Sequence, residues 1–149
     1  MKAATKVLCA QQEQSNVGLT ERCAGLEETF NGDVITQFVG LDADQTEQIN
    51  GIKAVLEADP AIDGVLGVGP VITMSALAAA QDLGIDLTIG GFDMTPELLD
   101  AIEARGEGHR LLASSGGGSE VALLVVVRRR RGGRRRAERP GDVARGGGE

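Results

Sequence analysis

Aromatic side chains are nearly missing from this 149-residue chain, which has three phenylalanines, no tyrosine and no tryptophan. A core must therefore be built from Val, Ile, Leu and Ala, a composition suited to strands buried on both faces of a parallel sheet. Histidine is as scarce: His109 stands alone, with no Ser or Cys partner in a recognisable setting, and supports no catalytic triad. Cys9 and Cys23 are the only cysteines, and without clustered histidine they make no zinc site. They fit a disulfide between a first strand and a first helix about as well as two buried thiols, and they do not fix a redox compartment. No apolar run approaches the roughly 18 residues of a membrane-spanning helix. The run Val7-Leu8-Cys9-Ala10 is too short for the core of a signal peptide, so the chain as written carries no export signal and is expected in the cytoplasm.

Positive charge is scarce in one part only. Residues 1–110 hold 18 acidic and 6 basic side chains, a net −12, while residues 111–149 hold 9 arginines and 4 acidic residues, a net +5. The division predicts two unrelated parts. Residues 1–108 read as one α/β unit. Residues 109–149 read as a Gly/Arg-rich tail, disordered or non-native, with Ser114–Ser119 made only of Ser and Gly and with arginine runs at 128–131 and 134–136. Arginine pairs with phosphate, but no interleaved aromatic or reading motif accompanies these runs, and nucleic acid is not an expected partner.

Within the first part, strands and helices alternate. Lys6–Ala10, Val34–Val39, Ile62–Val68 and Asp86–Gly90 read as strands, and Val121–Val127 is an apolar run with no evident partner. Thr20–Phe30, Gln45–Ala58, a segment from Pro70 to about Leu83, and one opening at Thr95-Pro96-Glu97 read as helices. Asn31-Gly32, Asp59-Pro60 and Gly84 stop the first three. Thr95 is placed as an N-cap, with Pro70 and Pro96 in first turns. The alternation predicts an α/β fold: a parallel sheet with helices on both faces and right-handed crossovers.

Ligands of open α/β sheets bind at the carboxyl ends of the strands. That rule selects Gln11–Thr20, Leu41–Gln45, Gly67–Val71 and Gly91–Thr95. Asp93 follows a strand and precedes a helix. Its carboxylate suits two neighbouring sugar hydroxyls, and it suits equally a helix cap or a loop turn. Asn16 and Thr20 are candidates for polyol contact or for capping, and Arg22 for a ligand contact or a surface ion pair. Gly67-Val68-Gly69-Pro70 lacks the third glycine of the dinucleotide fingerprint and the Lys-Ser/Thr of a phosphate loop. It reads as a tight turn in which Gly69 lets a ligand approach the backbone. No metal site and no cofactor are expected.

Three segments resemble one family. Lys6-Val7-Leu8-Cys9 with Glu21-Arg22-Cys23-Ala24-Gly25-Leu26, then Asp59-Pro60-Ala61-Ile62-Asp63-Gly64-Val65-Leu66, then Gly91-Phe92-Asp93-Met94-Thr95-Pro96-Glu97-Leu98-Leu99-Asp100-Ala101-Ile102, look like the second lobe of type I periplasmic sugar-binding proteins. The resemblance runs over about residues 5–108. It implies one lobe of a two-lobed, non-enzymatic receptor that closes over a sugar and docks on the permease of an ABC importer, in the periplasm or at the cell surface. It also implies that Asp93 binds sugar hydroxyls. Gly69 falls where ribose-type relatives often carry Asn, and Thr20 where they carry a sugar-binding Arg, with Arg22 two positions on. These departures point to a ligand other than ribose. The family's first lobe and signal peptide are expected before Lys6, and a further strand, a Gln-containing ligand segment and a return helix after the Asp100–Gly106 stretch. In their place the sequence changes abruptly in composition, as a frameshift would produce, so a half-cleft that binds sugar weakly or not at all is expected.

Two other classes share the fold. The sensory domain of a LacI-like transcription regulator is the main alternative, and an upstream helix-turn-helix would mark it. An enzyme of flavodoxin-like or Rossmann type is disfavoured by the missing phosphate fingerprint and acid–base constellation.

Overall fold

The structure, a computed structural model, describes residues 4–93, 95–103, 111–114 and 122–127. Four strand–helix units follow one another: β1 (Lys6–Gln11), α1 (Val17–Thr29), β2 (Asp33–Phe38), α2 (Gln45–Ala58), β3 (Gly64–Gly67), α3 (Pro70–Leu83), β4 (Leu87–Phe92) and α4 (Pro96–Glu103). In the sheet the order is β2-β1-β3-β4, and all three pairings are parallel. β1 therefore has a strand on each side and buries five of its six residues. The expected α/β architecture is present.

Two apolar clusters show that helices cover both faces. Leu8, Ala10, Val65 and Ile89 turn one way, toward Ile52 and Leu56 of α2, Ile72, Ala76, Leu77, Ala79 and Ala80 of α3, and Leu98 of α4. Cys9 and Leu66 turn the other way, toward Leu19, Cys23 and Leu26 of α1. The alternation is the period-2 pleat of the strand. Burying each large aliphatic side chain contributes on the order of 2 kcal/mol. α3 lies close against the sheet because Gly67 and Gly91 have no Cβ where Thr73 packs.

Helix limits follow local chemistry. α1 begins three residues earlier than the pattern suggests, because Asn16 Oδ1 accepts from the Gly18 N–H at 3.1 Å. Asp44 caps α2 by accepting from the Glu47 N–H at 2.9 Å. Pro70 opens α3, and Gly84 ends it in a left-handed conformation (φ 63°). Thr95 Oγ1 accepts from the Leu98 N–H at 3.3 Å and caps α4 as expected.

β3 is shorter than the Ile62–Val68 of the sequence reading. Just before it, the Asp63 N–H donates to the Lys6 carbonyl (3.1 Å) and the Asp63 carbonyl accepts from the Thr88 N–H (3.0 Å), while the carboxylate accepts from the N–H groups of Thr5 (2.7 Å) and Lys6 (2.9 Å), tying the start of β1 to the start of β3.

The sheet also extends beyond the parallel part. β5 (Leu111–Ser114) and β6 (Ala122–Val127) bring the full order to β2-β1-β3-β4-β6-β5. β6 runs antiparallel to β4, with Leu87 opposite Val127 and Phe92 opposite Ala122. The apolar run read as partnerless, and assigned with its surroundings to an unstructured tail, has a partner here. It satisfies the open hydrogen-bonding edge of β4. His109 and the arginine runs lie outside the described residues.

Candidate functional site

β1 and β3 are adjacent in the sheet, yet the helices that follow them leave on opposite faces: α1 with one cluster, α3 with the other. Such a switch point opens a crevice at the carboxyl ends of the two strands. Gln11 and Gln12 stand at the end of β1, Val68 and Gly69 at the end of β3, and Phe92 and Asp93 at the end of β4.

Arg22, on α1, joins the last two. Its Nη1 donates to the Val68 carbonyl at 2.6 Å and to Asp93 Oδ2 at 3.3 Å. The guanidinium carbon lies 4.6 Å from the centre of the Phe92 ring, a cation–π contact. The Arg22 side chain is 15% exposed and that of Asp93 is 57% exposed, so the carboxylate is presented to solvent from a part-buried mount. Asp93 does not cap α4. Its φ of 59° makes it the one non-glycine residue with positive φ among the described residues. A strained backbone at a strand-end carboxylate is a recurrent mark of a binding site.

Gln12 was not singled out by sequence, although it falls in the first strand-end stretch. It is 8% exposed and, among the described residues, its Oε1 has no hydrogen-bond partner; Gln11, 7% exposed, likewise has an unpartnered Nε2. Gly69 faces Gln12: a Cβ at 69 would lie 2.8 Å from Gln12 Nε2. The space that glycine leaves at 69 is therefore held by the amide of the residue that follows β1, and the site is not backbone alone there. Gly69 is also the N-cap residue of α3 and offers the helix no side-chain cap.

The other two candidates lie apart from this group. Asn16 is engaged in capping α1, and the exposed Thr20 turns its hydroxyl to the Asn16 carbonyl of the preceding turn at 3.4 Å. Beneath Arg22 a hollow of about 460 Å³, lined by Glu21, Leu26, Leu66 and Phe92 among others, opens on the α1 face and includes neither Asp93 nor Gln12. Among the described residues no group of three or more His, Cys, Asp or Glu is placed to hold a metal ion. Among them, too, no helix is long and apolar enough to cross a membrane.

Residues 1–108 match the periplasmic binding protein domain. The chain belongs to this family. It is a family of binding proteins and not of enzymes. Among solved structures, a carbohydrate transporter from Acidothermus cellulolyticus 11B in complex with myo-inositol is similar, with 36% identity and a TM-score of 0.62 over 67% of this chain. The chain spans about a third of that protein's length (35%). A LacI-family transcriptional regulatory protein from Corynebacterium glutamicum is more distant, with 14% identity and a TM-score of 0.46 over 58% of this chain and 45% of its own. No protein of curated function matches. The resemblance drawn from the three sequence segments is thus shown at the level of family and fold.

Proposed function

We propose that this chain supplies a solute-binding lobe of a sugar receptor. It binds a monosaccharide or related cyclic polyol at the carboxyl ends of β1, β3 and β4. A second lobe closes over the ligand, and the closed receptor docks on the permease subunits of an ABC importer, in the periplasm or at the cell surface. The observation that carries the reading is the 36% identity to a carbohydrate transporter that holds myo-inositol.

The site chemistry agrees. Asp93 is an acceptor-only group held by Arg22, suited to hydroxyl donors. Val17, Leu41 and Val71 are large apolar residues left exposed at this same end of the sheet, which suits a surface that a closing lobe covers.

Titration calorimetry of the full chain against myo-inositol, D-ribose and D-glucose tests the reading. Binding of at least one polyol, weakened about tenfold or more in Asp93→Ala, is expected. Binding that is indifferent to Asp93→Ala, or absent for all three, sinks it.

A further inference from the structure

We propose that the Gln12 carboxamide, set against the uncapped start of α3, is the acceptor that selects the hydroxyl pattern of the polyol; the inference rests on the polyol-binding reading above.

Four observations meet at this point. Gln12 is more than nine-tenths buried, and among the described residues its Oε1 has no partner. A buried acceptor without a donor destabilises the fold, and native proteins keep few of them. Second, the amide lies where a side chain at 69 would stand, since a Cβ there would be 2.8 Å from Gln12 Nε2. Third, α3 has fourteen residues and no side-chain cap at its start, so its first N–H groups are donors awaiting an acceptor. Fourth, all of this lies at the switch point between β1 and β3, with Asp93 one strand further on.

The chemistry of the occupant follows from the donor and acceptor set. Asp93 and Gln12 Oε1 accept, and the α3 N–H groups donate. A hydroxyl does both, so a ring bearing several hydroxyls satisfies acceptors and donors together. β1 and β4 stand about 10 Å apart across β3, at one strand spacing per step. A six-membered ring with its hydroxyls bridges Gln12 to Asp93, with the start of α3 between them. A carboxylated or phosphorylated sugar is disfavoured, because Arg22 is already engaged by Asp93 and the exposed carboxylate repels a second anion.

Gln12→Leu separates this role from a structural one. It removes the unpaired acceptor at nearly constant volume. The urea midpoint of the ligand-free chain is expected to rise, while affinity for the best of myo-inositol, D-ribose and D-glucose falls about tenfold or more. Gly69→Ala, which pushes the amide aside, should weaken the same polyol. In ¹⁵N-resolved NMR the Gln12 side-chain amide signals, assigned by their loss in Gln12→Leu, should shift during titration with that polyol. Unchanged affinity in Gln12→Leu, beside a clear loss in Asp93→Ala, overturns this inference alone and leaves the polyol reading standing. A lower midpoint with unchanged affinity assigns Gln12 to the fold and likewise overturns it. No binding of any of the three polyols by the unaltered chain overturns both.

Discussion

Arg22 reaches Asp93 across 71 positions of sequence and binds the Val68 carbonyl with the same nitrogen. The two contacts are unequal. Asp93 is more than half exposed, so the ion pair is worth under about 1 kcal/mol. The bond to Val68 is short and part-buried, and the guanidinium also stacks on Phe92. Arg22→Ala is therefore expected to cost about 2 kcal/mol in urea unfolding, and Asp93→Asn under about 1 kcal/mol. Equal losses in the two variants would mean that the ion pair dominates, contrary to this reading. Arg22→Lys keeps the charge but not the planar stacking, and should recover less than half the difference.

The left-handed backbone at Asp93 makes a separate prediction. At φ 59° an aspartate is tolerated and a β-branched residue is not. Asp93→Gly should change stability by no more than about 1 kcal/mol, whereas Asp93→Val should cost about 1–2 kcal/mol more than the glycine variant. Both remove the carboxylate, so both should lose polyol affinity alike. The stability difference then isolates backbone strain from ligand chemistry, and equal stability of the two variants would refute the strain.

The fold was largely legible in the sequence, and the site was so only in part. Strand–helix alternation, the Thr95 cap and the Gly84 stop all depend on neighbours within a few residues, which local patterns report. Element limits moved where a side chain bound the backbone, as Asn16 does at the start of α1. Asp93 and Arg22 were visible as candidates, but their pairing depends on the Arg22 side chain reaching from α1 to the end of β4. Gln12 was hidden for a related reason. Its burial comes from the placement of β1 beside β3, a non-consecutive pairing that no local spacing encodes. The polar pair Gln11-Gln12 closing an apolar strand was the available signal.

Cys9 and Cys23 resolve the alternative that the sequence left open: they form a disulfide between β1 and α1, with Cα atoms 5.8 Å apart and a sequence separation of 14. Both are buried, so reduction requires the α1 face to open. Closing a loop of this length stabilises a fold by about 3 kcal/mol through the unfolded chain. Unfolding in urea with and without reductant should differ by about 2–4 kcal/mol, and Cys9→Ala/Cys23→Ala should reproduce the reduced value. A difference within error would show that the bridge constrains nothing that the packing of α1 does not.

The amino end of the sheet carries a pH-dependent pair. Lys6 Nζ lies 2.6 Å from Asp59 Oδ2. The lysine hydrogen bond, helped by the Ala61 N–H, holds the Asp59 carboxyl below its ordinary value of 3.8. The same bond raises the Lys6 ammonium above its ordinary 10.5. A carboxyl whose pKa falls on folding contributes stability that is present above the unfolded value and lost as pH drops through the folded one. A lysine whose pKa rises contributes stability that is present below the unfolded value and lost as pH climbs through the folded one. The pair therefore acts between these limits. Asp59→Asn should unfold at lower urea than the unaltered chain at neutral pH. The gap should close below the carboxyl range and again above the lysine range. Because both side chains are partly exposed to solvent, the gap should be small and should shrink further in 1 M salt. A gap that persists at low pH would place the effect of Asp59 in its backbone turn with Ala61 and not in its charge.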